Sequence, residues 1–185
     1  VMYVAKKCKI KKIISVGGAQ AIGSLAYIQK VDKIFGPGND FVARAKREVF
    51  GDVGIEGMIA GPSEITVVAD KLLDMSKVIT SMIAQSEHGI NSQSILITKN
   101  EKLIKNINKK INIYLKKIPR KNIVIQSLKK NGLLILAKNN QQIVNIINMI
   151  SPEHLELLSK DYKKLLINIY NVGSIGLGIY SPVAA

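Results

Sequence analysis

The sequence predicts an α/β fold with a largely parallel sheet. Short runs of β-branched residues alternate with longer amphipathic stretches along the whole chain, as expected for strands that are each followed by a helix. Several of these stretches are separated by glycine-containing turns. With 185 residues, of which 47% are hydrophobic, the chain is long enough to bury a substantial core as one domain or two small ones.

The first third of the chain is predicted to contain two strand–helix pairs. Runs rich in Ile and Val predict strands over 13–16 and 31–35. The stretches that follow them predict helices over 19–28 and 39–49. A domain boundary is expected at Gly61-Pro62, where one such unit ends and another begins.

The same alternation continues to the end of the chain. Apolar β-branched runs predict five more strands, over 65–69, 94–98, 133–136, 154–158 and 173–177. Amphipathic stretches predict four more helices, over 75–88, 101–115, 141–150 and 162–169. The clearest of these is 101–115, because Leu103, Ile107 and Ile111 recur on one helical face.

The composition of the chain argues against two kinds of partner, nucleic acid and membrane. The formal charge is +14, but of the 27 basic residues only Arg44, Arg47 and Arg120 are Arg, and the lysines are scattered. Arg is favoured for bidentate phosphate recognition, so a nucleic-acid partner is not expected. No apolar run approaches the roughly 20 residues of a membrane span. The first residues do not have the pattern of a secretory leader, so none is expected, and the lone Cys8 fits a reducing compartment; a cytoplasmic protein is therefore expected.

Three glycine-containing loops are predicted to form a ligand-binding edge. They are Gly17-Gly18-Ala19-Gln20, Gly36-Pro37-Gly38-Asn39 and Gly61-Pro62-Ser63-Glu64, and each is expected to follow a strand. Small residues there allow a ligand close to the backbone and to the free N–H groups of the next helix. None is a standard phosphate fingerprint. The alternative is a set of tight turns in which Asn39 and Ser63 cap helices.

Both histidines directly follow a glutamate, in Glu87-His88 and Glu153-His154. Gln85 and His88 are three residues apart, so they share a helical face and suit a metal ion. Alternatively, His88 ends a helix that Gly89 caps in the left-handed conformation. Glu153-His154 stands where a strand begins and offers two proton acceptors, with a solvated loop as the alternative.

Five motifs, in this order and with similar spacing, resemble the histidinol dehydrogenase family over nearly the whole chain. They are Gly17-Gly18-Ala19-Gln20-Ala21-Ile22, Val31 to Asn39, Ala60-Gly61-Pro62-Ser63-Glu64, Ala84-Gln85-Ser86-Glu87-His88 and Ser151-Pro152-Glu153-His154-Leu155. Members are homodimeric, zinc-dependent enzymes that oxidise L-histidinol to L-histidine through an aldehyde with two NAD. The resemblance implies two Rossmann-like βα units with largely parallel sheets, incomplete at both ends. Residues 1–62 would belong to the NAD-binding domain and 63–185 to the zinc- and substrate-binding domain.

The resemblance also implies a role for each matched residue. Gln20 and Asn39 would contact NAD. Ser63, Gln85, His88 and His154 would bind substrate, and Gln85 and His88 would also be zinc ligands. Glu153 and His154 would be catalytic: His154 acts as the base in both oxidations, and Glu153 activates the water that hydrates the aldehyde.

The family pattern runs beyond both ends of this chain. A Tyr that contacts NAD would precede it, and an Asp and a His that ligate zinc would follow it, as would a Glu that binds substrate. The chain is therefore interpreted as an internal fragment that is inactive by itself. A competing hypothesis, prompted by the charge of +14, is a basic nucleic-acid-binding or scaffold module that keeps the fold without catalysis.

Overall fold

The computed structural model describes residues 1–56, 63–71, 74–116, 118–178 and 180. The chain divides into two compact units, Val1–Gly61 and Pro62–Ala185, which are described separately below. The expected boundary residues Gly61 and Pro62 themselves lie outside the described residues. Both units contain parallel strands alternating with helices, which confirms the predicted α/β class.

The first unit is a small α/β arrangement around a two-stranded parallel sheet. Its elements are α1 (Met2–Lys7), α2 (Gly18–Gly23) continued by a π-helical turn (Ser24–Ile28), β1 (Lys33–Ile34), α3 (Asp40–Glu48) and β2 (Gly54–Ile55). Its core consists of apolar side chains from both helical segments and the sheet, namely Ile22, Ala26, Ile34, Val49 and Val53. The predicted helices over 19–28 and 39–49 are confirmed.

The strand predicted over 13–16 is wrong. Residues 11–17 form no regular element, and the side chains of Ile13, Ile14 and Val16 are exposed. A β-branched run becomes a strand only where a neighbouring strand accepts its hydrogen bonds and packs against it. Within the described residues no strand pairs with this segment, so its β-propensity is not realised.

The second unit is built on a five-stranded parallel sheet with the strand order β5-β4-β3-β6-β7. Its strands are β3 (Glu64–Val68), β4 (Gln93–Thr98), β5 (Gly132–Leu136), β6 (His154–Leu157) and β7 (Ser174–Leu177). Its helices are α4 (Met75–Ser86), α5 (Glu101–Leu115), α6 (Lys121–Asn131), α7 (Asn140–Ile150) and α8 (Tyr162–Leu166). The order reverses between β3 and β6, as at the switch point of a doubly wound sheet.

Apolar side chains cover both faces of this sheet. Ile65 and Val67 belong to a core cluster that includes side chains of α4, α5 and α6. Val68 belongs to a second cluster, which includes Ile143 and Ile147 of α7. Successive strand residues point to opposite faces, so near-continuous apolar strands are what a sheet covered on both sides requires. Burying each such side chain contributes about 1.5–3 kcal/mol.

Two helices were not predicted. α6 contains the β-branched run Ile123-Val124-Ile125, which lacks a clear helical signal, yet Val124 and Ser127 are buried on one helical face. α1 buries none of its residues. The remaining elements of the second unit agree with the predictions within about three residues. None of the helices in the described part of the chain is long and apolar enough to cross a membrane.

Candidate functional site

Three of the predicted site residues meet at the amino ends of two neighbouring strands. Ser63 directly precedes β3, and Glu153 directly precedes β6, which begins with His154. The two strands are paired in parallel with Ile65 opposite His154. The expectation that the Gly61–Glu64 loop follows a strand concerns residues 57–62, which lie outside the described residues. The alternative that Ser63 caps a helix is wrong, because Ser63 leads into a strand. Gly61 and Pro62 fall in a stretch that the structure does not describe.

Glu153 and His154 form a close acid–base pair. Glu153 Oε1 lies 3.6 Å from His154 Nε2, and each side chain is 29% exposed, so the pair is accessible but partly shielded. α7 ends at Ile150, its C-cap Ser151 has a left-handed backbone with φ of 52°, and Pro152 then leads the chain into β6. The alternative of an incidental histidine in a solvated loop does not describe this arrangement.

The second carboxylate oxygen of Glu153 is held by the backbone of β3. Glu153 Oε2 accepts a hydrogen bond of 3.2 Å from the N–H of Glu64, 89 residues earlier. The pKa of the Glu64 carboxyl is raised, chiefly by burial and then by the negative charge of Glu153. Two carboxylates therefore lie near each other beside Ser63.

His154 has a further partner that the sequence did not reveal. Its Nδ1 lies 2.7 Å from Oγ of Ser174, the first residue of β7, which pairs with His154 across the sheet. Glu64 ends one of the predicted glycine loops but was given no role of its own, and Ser174 stands in no pattern that signals chemistry. The pairing of β6 with β3 and with β7 brings both residues to the site. They could be found from the sequence only if this pairing and its register were known.

Gln85 and His88 lie where α4 leads into β4, at the same edge of the sheet. Ser86 Oγ lies 2.9 Å from Ser94 Oγ of β4, and Ser94 Oγ donates to the Met82 carbonyl at 3.0 Å, so this end of the helix is fixed to the strand. Gln85 is only 1% exposed, whereas His88 is exposed. Among the described residues, no hydrogen bond or ion pair joins them to Glu153 or His154.

The helix end differs in detail from its prediction. α4 ends at Ser86 rather than at residue 88, and its C-cap is Glu87 with φ of −77°. Gly89 is not among the glycines with positive φ, so the left-handed Gly89 cap is wrong. His88 therefore lies in the turn after the helix.

Gln85 and His88 carry donor groups of kinds that zinc binds, an amide oxygen and an imidazole nitrogen. The amide nitrogen of Gln85 is buried and has no hydrogen-bond partner in the described part of the chain, which is costly unless something compensates it. The oxygen and nitrogen of a side-chain amide can be exchanged by rotating the amide group by half a turn. In the exchanged orientation, the oxygen of Gln85 would occupy the position of this unpartnered nitrogen. Within the described ranges, no three His, Cys, Asp or Glu residues form a metal-binding cluster, so this chain offers two donors here, one imidazole and one amide.

In the first unit, the loop that contains Asn39 follows β1, as predicted. Gly36 has φ of 113°, and a Cβ at Gly38 would lie 2.3 Å from the Val42 side chain, so both positions favour glycine. Asn39 Oδ1 accepts a 3.1 Å hydrogen bond from the N–H of Val42 and caps α3. The buried Lys46 donates from Nζ to the carbonyl of Gly36 and anchors the loop from behind.

Gln20 is exposed in the first turn of α2. Gly18 has φ of 65°, and a Cβ on it would lie 3.1 Å from Oε1 of Gln20, so glycine leaves room for the Gln side chain. The prediction that this loop follows a strand is wrong, because residues 11–17 form none. Both candidate cofactor loops nevertheless place small residues at a helix start, with backbone N–H groups that a phosphate can bind.

At the carboxyl ends of the strands in the second unit, polar side chains form hydrogen bonds and ion pairs with one another. Asp70 follows β3, Lys99 follows β4 and Ser159 follows β6; Ser159 Oγ donates to Asp70 Oδ2 at 2.6 Å. Lys99 Nζ lies 3.9 Å from Asp70 and 3.6 Å from Asp161, and donates to Asn140 at 2.6 Å. The carboxyl ends of the central strands are thus joined by ion pairs and contain no glycine loop.

Comparison with known proteins shows the family to which the chain belongs. The family model for histidinol dehydrogenase matches residues 1–185. A histidinol dehydrogenase from Pelagibacter ubique is 53% identical over all of this chain and 44% of its own length, and one from Listeria monocytogenes is 44% identical over 98% and 43%. A crystal structure of histidinol dehydrogenase from Elizabethkingia anophelis superimposes with a TM-score of 0.88 and 35% identity, over 98% of this chain and 42% of that one. The chain spans less than half the length of these proteins, and it belongs to the histidinol dehydrogenase family.

Proposed function

We propose that the complete gene product containing this chain oxidises L-histidinol to L-histidine through the aldehyde, with NAD and zinc. The observation that carries the proposal is the Glu153–His154 pair, 3.6 Å apart, half-buried and braced by the N–H of Glu64. Family membership supplies the substrate. The pair supplies the two proton acceptors that oxidation of an alcohol to an acid requires at one place.

His154 acts as the base in both oxidations. In the first, it accepts the hydroxyl proton while the carbinol hydride leaves, which produces the aldehyde. Glu153 then takes a proton from the water that adds to the aldehyde carbon, while His154 returns its proton to the aldehyde oxygen, which gives the hydrate and restores the neutral imidazole. In the second oxidation, His154 accepts a hydroxyl proton of the hydrate while the second hydride leaves, which gives the carboxylic acid. Oε1 of Glu153 lies 3.6 Å from Nε2 of His154, so the two proton acceptors act at one place.

The two cofactors are assigned to the residues that suit them. NAD, when bound, accepts the hydride, and Gln20 and Asn39 are proposed to contact it. Zinc, when bound, anchors and polarises the substrate, and Gln85 and His88 are proposed as two of its ligands. Ser63, Gln85, His88 and His154 are proposed to contact the substrate.

The domain roles follow the same division. Residues 1–62 are proposed to belong to the NAD-binding domain and residues 63–185 to the zinc- and substrate-binding domain. The gene product is proposed to act as a homodimer in the cytoplasm, where its exposed free Cys8 would stay reduced.

The proposal is tested in the complete gene product supplied with zinc. We expect NADH formation with L-histidinol, and we expect H154A or E153Q to lower turnover by roughly 100-fold or more, as loss of a general base does. Both variants should keep nearly normal zinc content. H88A, the comparison variant, should lose zinc as well as turnover.

Two results would count against this proposal. A correctly folded protein that forms no NADH with L-histidinol would refute the activity. Equal loss of zinc in all three variants would refute the separation of proton transfer from metal binding.

A further inference from the structure

Ser174 begins β7 and lies directly across the sheet from His154. Its Oγ is 2.7 Å from Nδ1 of His154, and it also donates toward the backbone carbonyl of Glu153 at 3.4 Å. We propose that Ser174 is a positioning residue that holds the neutral His154 imidazole in the tautomer protonated at Nδ1. Nε2 is then left unprotonated to act as the base. The inference rests on the proposed function of His154.

The hydrogen atoms at Ser174 can be counted. A serine hydroxyl has one hydrogen to donate, and a backbone carbonyl can only accept. When Ser174 donates to the carbonyl of Glu153 at 3.4 Å, its oxygen is left as the acceptor of the 2.7 Å contact, and in that arrangement Nδ1 carries a hydrogen. A neutral imidazole has one ring N–H, and Nε2 therefore keeps its lone pair.

Among the described residues, Nε2 makes no hydrogen bond. Its nearest described partner is Oε1 of Glu153 at 3.6 Å, longer than an N–H···O hydrogen bond. The carboxylate is also held from the other side by the N–H of Glu64. Glu153 therefore does not accept an N–H from Nε2 in this structure.

The backbone fixes Ser174 in this position. The N–H of Ser174 donates to the Glu153 carbonyl at 2.9 Å, and the N–H of Gly173 donates to the Pro152 carbonyl at 3.1 Å. A Cβ at Gly173 would lie 2.7 Å from the carbonyl oxygen of Glu153, so only glycine allows this close approach. The hydroxyl of Ser174 is therefore aligned by strand pairing and does not depend on the substrate.

The direct test is the tautomer of His154 in the complete gene product. The protein is labelled with ¹⁵N-histidine, and the ring signals of His154 are assigned by their loss in H154N. At a pH where the ring is neutral, we expect Nδ1 to carry the hydrogen and Nε2 to lack it. In S174A we expect a mixture of tautomers. An Nδ1 without hydrogen in the unchanged protein would overturn the proposal.

Steady-state kinetics provide the second test. We expect S174A to lower kcat about 3- to 10-fold, the effect of one lost hydrogen bond, with zinc content unchanged and KM changed less than kcat. S174T keeps the hydroxyl and should recover most of the loss. I175V, which alters the opposite face of β7, is the matched control and should leave kcat and the tautomer unchanged.

These outcomes separate the inference from the proposed function. If S174A has the kcat of the unchanged protein, or if S174T is as slow as S174A, Ser174 does not position the base. If the unchanged protein forms no NADH from L-histidinol, the proposed function fails. The tautomer measurement decides the role of Ser174 in either case.

Discussion

Asn39 has two possible functions that substitutions can separate. Its Oδ1 accepts the N–H of Val42 and caps α3, while its amide nitrogen has no partner among the described residues and is proposed to contact NAD. N39A removes both groups, whereas N39S keeps a capping oxygen and removes only the amide. Loss of the cap costs about 1 kcal/mol, and Ser replaces Asn as a cap at almost no cost.

The effect on NAD follows from the strength of one hydrogen bond. Losing about 0.5–1.5 kcal/mol of binding raises the KM for NAD roughly 2- to 12-fold. We therefore expect both variants to raise this KM, and only N39A to lower the free energy of unfolding, measured by urea denaturation of the complete gene product.

A second capping asparagine provides the matched control. Asn139 caps α7, and its Oδ1 accepts the N–H of Gln142 at 2.9 Å. N139A should lose about 1 kcal/mol of stability, like N39A, without changing the KM for NAD. If N39S binds NAD as well as the unchanged protein does, Asn39 is only a helix cap, and its assignment as a cofactor contact is refuted.

Three further predictions concern the surroundings of the site. The fold raises the pKa of the Glu64 carboxyl, so its stabilising contribution is present below the ordinary value of 4.5 and is lost as the pH rises through the raised value. We therefore expect E64Q to be more stable than the unchanged protein at about pH 7 but not near about pH 4. A difference in urea midpoints that does not depend on pH would contradict this. D70A removes the 2.6 Å hydrogen bond that Ser159 donates to a carboxylate that is 25% exposed. We expect the free energy of unfolding, measured by urea denaturation, to fall by about 2 kcal/mol while kcat stays unchanged. A lower kcat would show that this edge of the sheet takes part in catalysis. K46M removes the hydrogen bond to the carbonyl of Gly36 but keeps the packing of the side chain, so the loop that contains Asn39 should lose its support while the stability of the protein changes little. We expect the KM for NAD to rise a few-fold. An unchanged KM would show that Lys46 does not shape the loop.

The sequence predicted the second unit better than the first because the two units bury their strands differently. β3 and β4 are near-continuous apolar runs covered on both faces, and such runs are legible without a structure. In the first unit, β1 and β2 have two residues each, and the β-branched run at 13–16 has no described partner strand. Strand formation there depends on neighbours, and a single-sequence pattern does not report neighbours.

The sequence allowed the candidate site residues to be predicted, but not where they lie in the sheet or which other residues contact them. The spacing of Gln85 and His88 and the Glu153–His154 pair are local, so the sequence reveals them directly. Glu64 contributes only its backbone N–H to Glu153, and Ser174 reaches His154 only through pairing of adjacent strands. Contacts of this kind depend on register, which is set by the packing of the whole sheet.

The position of the site within the sheet follows from what occupies each edge. In open α/β sheets, ligands usually bind at the carboxyl ends of the strands near the switch point, here between β3 and β6. In this unit, Asp70, Lys99 and Asp161 lie at that edge and satisfy one another. At the amino ends, Glu153 and His154 are half-exposed and the amide nitrogen of Gln85 lacks a described partner. In the described part of this unit, the candidate site therefore lies at the amino edge, opposite to the edge that the general rule for the fold favours.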